Sequence, residues 1–286
     1  MKKTKLLLIP VLLLLLTGCF KRDTMEDINI VTTVYPLEYV TNFLYGDNSV
    51  INSIYPDGID IYTYDLLDKQ IKDYSKQDLF IYAGVSTDRD IALTLLNENN
   101  DILIIDATYG MEITNGIEEL WLNPSNLLMI SQNIKNGLEE YITSKYLKQE
   151  IGDAYSELKI SLSELDADLK VLAENANSKT IVVANDSLKF LEKYGFNVIS
   201  LENATLSDKS THDVTNLINN GSIKYIYKFE YSTENDVITN LKNTTKVEVI
   251  PIKSIANIND EERDNRDDYI KLMNDNIELL KKETYK

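Results

Sequence analysis

Between Gly152 and Asn177 the apolar residues Tyr155, Leu158, Leu162, Leu165, Leu169 and Leu172 recur three and four positions apart. That spacing puts them on one stripe of an amphipathic α-helix, about five turns long. A coiled coil would need a second heptad run as a partner, and the chain has none. The stripe must therefore be covered by the rest of the molecule. It predicts a rigid strut packed along the segments that precede and follow it.

Those segments share one pattern, short β-rich runs alternating with helical ones. Before the strut, strands are expected at Ile28 to Tyr35, Ser49 to Ile54, Asp78 to Ala83 and Asp101 to Asp106. Helices are expected at Leu37 to Tyr45, Asp65 to Lys76, Asp88 to Asn97 and Pro124 to Tyr146. After it, strands are expected at Thr180 to Ala184, Asn197 to Leu201, Tyr225 to Lys228 and Lys246 to Ile252, and helices at Ser187 to Tyr194 and Asn259 to Lys286. Such alternation reads as α/β with parallel sheets. The expected organisation is an N-terminal α/β lobe over 29–148, a connecting helix over 149–178 and a C-terminal α/β lobe over 179–286.

The first residues point to export. Lys2, Lys3 and Lys5 precede an apolar run from Leu6 to Leu16, too short for the roughly 20 residues that span a bilayer. A cleaved signal peptide over 1–18 is the better reading. The run ends in Leu16-Thr17-Gly18-Cys19, where small residues admit a peptidase and the thiol accepts a lipid. Cys19 is the only cysteine, so an intramolecular disulfide is excluded. Lipidation at Cys19, a tether over 19–28 and a place on the outer face of the cell membrane are expected. Cleavage before Cys19 removes three lysines and no acid, taking the net charge from -17 to -20, with 26 basic against 46 acidic residues. So acidic a chain is a poor partner for nucleic acid.

Two α/β lobes, one long helix and a lipid anchor together resemble the zinc- or manganese-specific solute-binding lipoproteins of bacterial ABC importers. The resemblance is carried by Val31-Thr32-Thr33-Val34-Tyr35-Pro36-Leu37, Tyr55-Pro56-Asp57-Gly58-Ile59-Asp60, Asp78-Leu79-Phe80-Ile81-Tyr82-Ala83-Gly84, Trp121-Leu122-Asn123-Pro124 and Tyr194-Gly195-Phe196. It implies a ligand cleft between the lobes, a permease partner in the membrane, a monomer, and zinc or manganese as cargo.

The family's metal ligands do not carry over. Three imidazoles, or two and a carboxylate, plus an aspartate are usual there. The matching positions here hold Tyr62, Glu119, Asn185 and Lys253. The one histidine, His212, reads as a solvated turn residue in Ser-Thr-His-Asp. A phenol must ionise from near pH 10 to bind a divalent ion, and zinc favours nitrogen and sulfur. An ammonium about 4 Å from a cation costs roughly 4 kcal/mol per unit of charge at an effective dielectric near 20. Three readings stay open. Lys253 beside Glu119 replaces the metal's charge and plugs the cleft; or the four residues hold a small polar organic ligand such as a zwitterion; or Tyr62 and Glu119, with Glu230, form an oxygen-rich site for manganese or iron(III). A degenerate receptor acting as a surface binding or adhesion lipoprotein is the alternative function. No nucleophile elbow, phosphate loop or dinucleotide fingerprint supports an enzyme.

Overall fold

The computed structural model describes residues 23–286. Cys19 and the signal segment lie outside the described residues. The first lobe runs β1 (Ile28–Thr32), α1 (Tyr35–Tyr45), β2 (Ser49–Ser53), α2 (Asp68–Tyr74), β3 (Leu79–Tyr82), α3 (Asp88–Glu98) and β4 (Leu103–Asp106). Three helices follow: α4 (Glu119–Leu122), α5 (Pro124–Tyr141) and α6 (Lys145–Glu174). The second lobe runs β5 (Thr180–Val183), a 3-10 helix over Asp186–Tyr194, β6 (Asn197–Ser200), α7 (Lys209–Asn219), β7 (Tyr225–Phe229), α8 (Asp236–Thr244) and β8 (Glu248–Ile252). The chain closes with α9 (Asp260–Asn265) and α10 (Tyr269–Thr284).

Both sheets are four-stranded and parallel, in the orders β2-β1-β3-β4 and β6-β5-β7-β8. The strand cores are β-branched and aromatic runs such as Leu79–Tyr82, buried throughout, as parallel strands covered on both faces require. In each sheet the first strand lies between the second and the third. Connections from it leave in opposite directions, which opens a crevice at the carboxyl ends of the strands.

The strut is helix α6, 30 residues and about 45 Å long at 1.5 Å per residue. Leu158, Leu162, Leu165, Leu169 and Leu172 are each at most 1 % exposed, so the stripe is the buried face. Tyr155 is only partly buried. The helix packs on α1 and α5 at one end and on α10 at the other, joining the two lobes.

Two boundaries depart from the sequence reading for one reason. A single helix over 124–146 is expected, but α5 stops at Tyr141 and α6 starts at Lys145. The Asp23 carboxylate accepts from Thr143 N (2.8 Å), Thr143 Oγ1 (2.8 Å) and Ser144 N (2.6 Å). It takes up the amides at the corner in place of helical carbonyls. Asp23 and Met25, read as tether, are 7 % and 2 % exposed, so the folded body begins by Asp23. His212, expected in a turn, sits exposed on α7. The stretch over 259–286 is two helices, broken where Arg266 takes a left-handed φ of 59°. Among the described residues no helix is long and apolar enough to cross a membrane.

Candidate solute-binding cleft

A cavity of about 470 Å³ lies between the lobes, lined by residues that follow strand ends. Ile59 to Thr63 come from the loop after β2 and Glu118 from the segment after β4. Asn185 follows β5, Glu202 follows β6, Phe229, Tyr231, Ser232, Thr233 and Asn235 end and follow β7, and Ser254, Ala256 and Asn257 follow β8. Both switch-point crevices thus open into one space.

The centre of the cleft is Glu118. Tyr62 Oη donates to its Oε1 at 2.7 Å, and Ser187 Oγ donates to its Oε2 at 2.6 Å. One carboxylate therefore bridges the N-terminal lobe to the C-terminal one. Gly116 makes room for this: a Cβ there would lie 2.0 Å from Ser187 Oγ. Tyr62 is 57 % exposed and lines the cleft. Burial of its hydroxyl and the charge of Glu118 push the phenol far above the ordinary tyrosine range, so it stays a neutral donor.

Of the five positions singled out from sequence, Tyr62 and Asn185 line the cleft and three do not. Glu119 turns away, accepting from Asn115 N (3.1 Å) and Nδ2 (2.9 Å). Consecutive residues of a helical turn point about 100° apart, so with α4 starting at Glu119 the inward carboxylate is Glu118. Counting back from Trp121 could not fix that rotation.

Lys253 also lies outside the cleft. Asn276 of α10 brackets its backbone, accepting from Lys253 N and donating Nδ2 to Lys253 O, both at 2.9 Å. The ammonium pairs with Glu262 and lies 3.6 Å from Glu230. Burial works against its charge, yet the two carboxylates prevail and raise its pKa. A Lys253–Glu119 plug, one of the three readings left open, is therefore absent, and the ammonium of Lys253 is paired outside the cleft. Glu230 faces Lys253, not the cleft centre. Asn185 is a brace as well as a wall: its Oδ1 accepts from Phe229 N at 3.0 Å and from Ser232 Oγ at 3.4 Å.

The N-terminal rim is fixed from the other lobe. Gly58, at φ +73°, donates its amide to Ile258 O (2.8 Å), and Asn257 Nδ2 reaches Pro56 O and Ile59 O. Arg263 clamps Glu38 (2.8 and 3.2 Å) and Asp57. Trp121 donates Nε1 to Ser254 O at 2.8 Å and is 1 % exposed, a packing anchor.

Three carboxylates line the cleft, Asp60, Glu118 and Glu202, and no Lys, Arg or His joins them. Asp60 and Glu202 escaped the sequence reading, since acidic residues are common throughout this chain. Among the described residues no three His, Cys, Asp or Glu side chains converge to hold a metal ion.

A family model described as zinc-uptake complex component A, periplasmic, matches residues 30–283. The chain belongs to this family. Its members are uptake-complex components rather than enzymes. The chain is 23 % identical over 311 residues to the zinc-binding lipoprotein AdcA of Streptococcus pneumoniae R6, covering 99 % of this chain and 61 % of that protein. It thus spans about three fifths of the length of that relative. It is 21 % identical over 321 residues to the high-affinity zinc uptake system protein ZnuA of Bacillus subtilis, covering 98 % and 97 %. Its fold matches the crystal structure of the Zn(II)-bound ZnuA-like domain of Streptococcus pneumoniae AdcA with a TM-score of 0.74 at 21 % identity, over 91 % of this chain and all of that domain.

Proposed function

We propose that the chain is the extracytoplasmic receptor of an uptake system, held to the membrane by a lipid on Cys19, whose cleft captures a cationic solute for a permease. The observation that carries this reading is the charge of the cleft: three carboxylates and no base among its lining residues. An uncompensated acidic cavity favours a cation through its whole field. The charged groups it offers a cation are all oxygen, the carboxylates of Asp60, Glu118 and Glu202. Zinc prefers imidazole and thiolate, whereas harder cations and ammonium groups are satisfied by oxygen. We therefore assign the cleft to a hard or organic cation, although the relatives named above are zinc-binding by name.

Calorimetric titration of chelator-treated protein with zinc and with manganese tests the assignment, beside native mass spectrometry of protein from its own host. The expected result is no submicromolar zinc site and a co-purifying cation of another kind. Submicromolar zinc at one site per chain would overturn the assignment while leaving the receptor role standing. Cys19→Ser should move the protein out of the membrane fraction, and unchanged fractionation would refute lipidation there.

A further inference from the structure

Behind the cleft, inside the N-terminal lobe, lies a second and larger cavity of about 660 Å³. Ile61 and Tyr62 line both cavities and form their common wall. The remaining walls are mainly apolar and aromatic, with Tyr55, Ile91, Ile113 and Trp121 among them. Three carboxylates line this chamber: Asp88, 6 % exposed at the first turn of α3, and the exposed Asp65 and Asp90. No Lys, Arg or His lines the chamber.

A space of this size, apolar with few polar groups, has the make-up of a small-molecule site. It is a poor fit for a bare metal ion, which needs several oxygens converging on one point. It is an equally poor fit for an anion, which would meet Asp88 with no cation to offset it. A purely apolar guest would leave a desolvated carboxylate uncompensated. A guest that carries one ammonium on an apolar body satisfies both walls and charge.

We propose that this chamber binds an organic ammonium with an aromatic or aliphatic body, its charge on Asp88 and its body against Tyr55, Ile91 and Trp121. Burial raises the pKa of Asp88; an incoming ammonium would favour the ionised form. The site shares the wall of Ile61 and Tyr62 with the cleft, and variants placed in one cavity or the other separate their occupancies.

Trp121 is the only tryptophan and lines the chamber, so its fluorescence reports occupancy directly. The probe is 2-phenylethylamine, titrated into the mature chain, with 2-phenylethanol and 3-phenylpropionate as neutral and anionic isosteres. A saturable fluorescence change with the amine is expected, about tenfold weaker with the alcohol and absent with the acid. Asp88→Asn should weaken the amine about tenfold. Because a substitution at buried Asp88 also tests folding, a second variant is used: Ile113→Phe, at a position 42 % exposed on the chamber wall, should abolish binding by filling space. Glu202→Gln, in the cleft, should leave the amine affinity unchanged. No saturable change, equal binding of alcohol and amine, or loss through Glu202→Gln with Ile113→Phe silent would each overturn the proposal.

Discussion

The Lys253 cluster and the interlobe cleft adjoin one another, sharing Tyr231, Ser254 and Asn257 as walls, and they treat charge in opposite ways. Around Lys253 the carboxylates of Glu262 and Glu230 meet an ammonium, and the space left is about 10 Å³. In the cleft, Glu118 meets only the hydroxyls of Tyr62 and Ser187, and about 470 Å³ stays open. Hydroxyl donors satisfy the hydrogen bonds of a carboxylate without cancelling its charge. Hydrogen-bond satisfaction and charge compensation are therefore separate properties. A site that has the first without the second is one in which an outside cation is stabilised.

The largest expected effect comes from the frame that holds both clusters in place. Leu165→Asp would put an unpaired charge on the buried stripe of α6, 1 % exposed, and should cost about 3–5 kcal/mol. A melting temperature equal to wild type would mean that α6 does not set the lobe separation. Next is the compensated cluster. Lys253→Met leaves Glu262, 11 % exposed as a side chain, without its cation and should cost about 2 kcal/mol. The same variant should leave cation affinity in the cleft within about twofold; a tenfold change would place Lys253 in the binding site after all.

Glu118→Gln is the mirror experiment. It removes the charge and keeps one acceptor oxygen, while the new amide NH2 donates to whichever of the Tyr62 and Ser187 hydroxyls turns to accept. Cation affinity should fall about tenfold, a change of about 1.4 kcal/mol, while the melting temperature moves by only a few degrees. Undiminished affinity would show that Glu118 is a lobe bridge only. Titration of Lys253 gives a pH test of the compensated side. Its raised folded pKa means that its contribution is present below about pH 10.5 and lost as pH rises through the folded value.

The smallest effect is at Asp166 on α6. Although burial opposes ionisation there, hydrogen bonds from Lys170, Lys193 and Tyr194 prevail and hold the carboxyl at about 2. Its pKa is depressed on folding, so the stabilisation is present above about pH 4 and is lost as pH falls through about 2. Asp166→Asn should cost about 1 kcal/mol near pH 6 once solvent screening is allowed for. The difference from wild type should vanish near pH 2. A gap that persists there would assign the effect to packing rather than charge.

Much of the fold was legible because hydrophobic periodicity is local. The stripe from Leu158 to Leu172 and runs such as Asp78 to Ala83 locate the strut and the strands from one neighbourhood each. Helices α7 and α8 were missed: their buried faces are short, Thr211, Val214 and Ile218 in one and Val237, Ile238 and Leu241 in the other, amid polar residues that read as loop. The site was legible only in part. Asn185 is fixed by the strand just before it and Tyr62 lies in a loop nine residues beyond β2, and both fall in the cleft. Glu119 failed by one position, because the turn of α4 selects between adjacent carboxylates.

By itself the sequence determined what is carried by spacing and residue type: two parallel α/β units, a central amphipathic helix and a site stripped of histidine. Tertiary structure alone decided which charges face one another. Asp23 ends a helix some 120 residues away by accepting the Thr143 and Ser144 amides. Asn276 turns Lys253 toward Glu262 and out of the cleft. Apolar burial repeats with the local period of helix or strand and can be read along the chain. The balance of a carboxylate depends on partners within a few ångströms, and those come from segments that only the completed fold brings together.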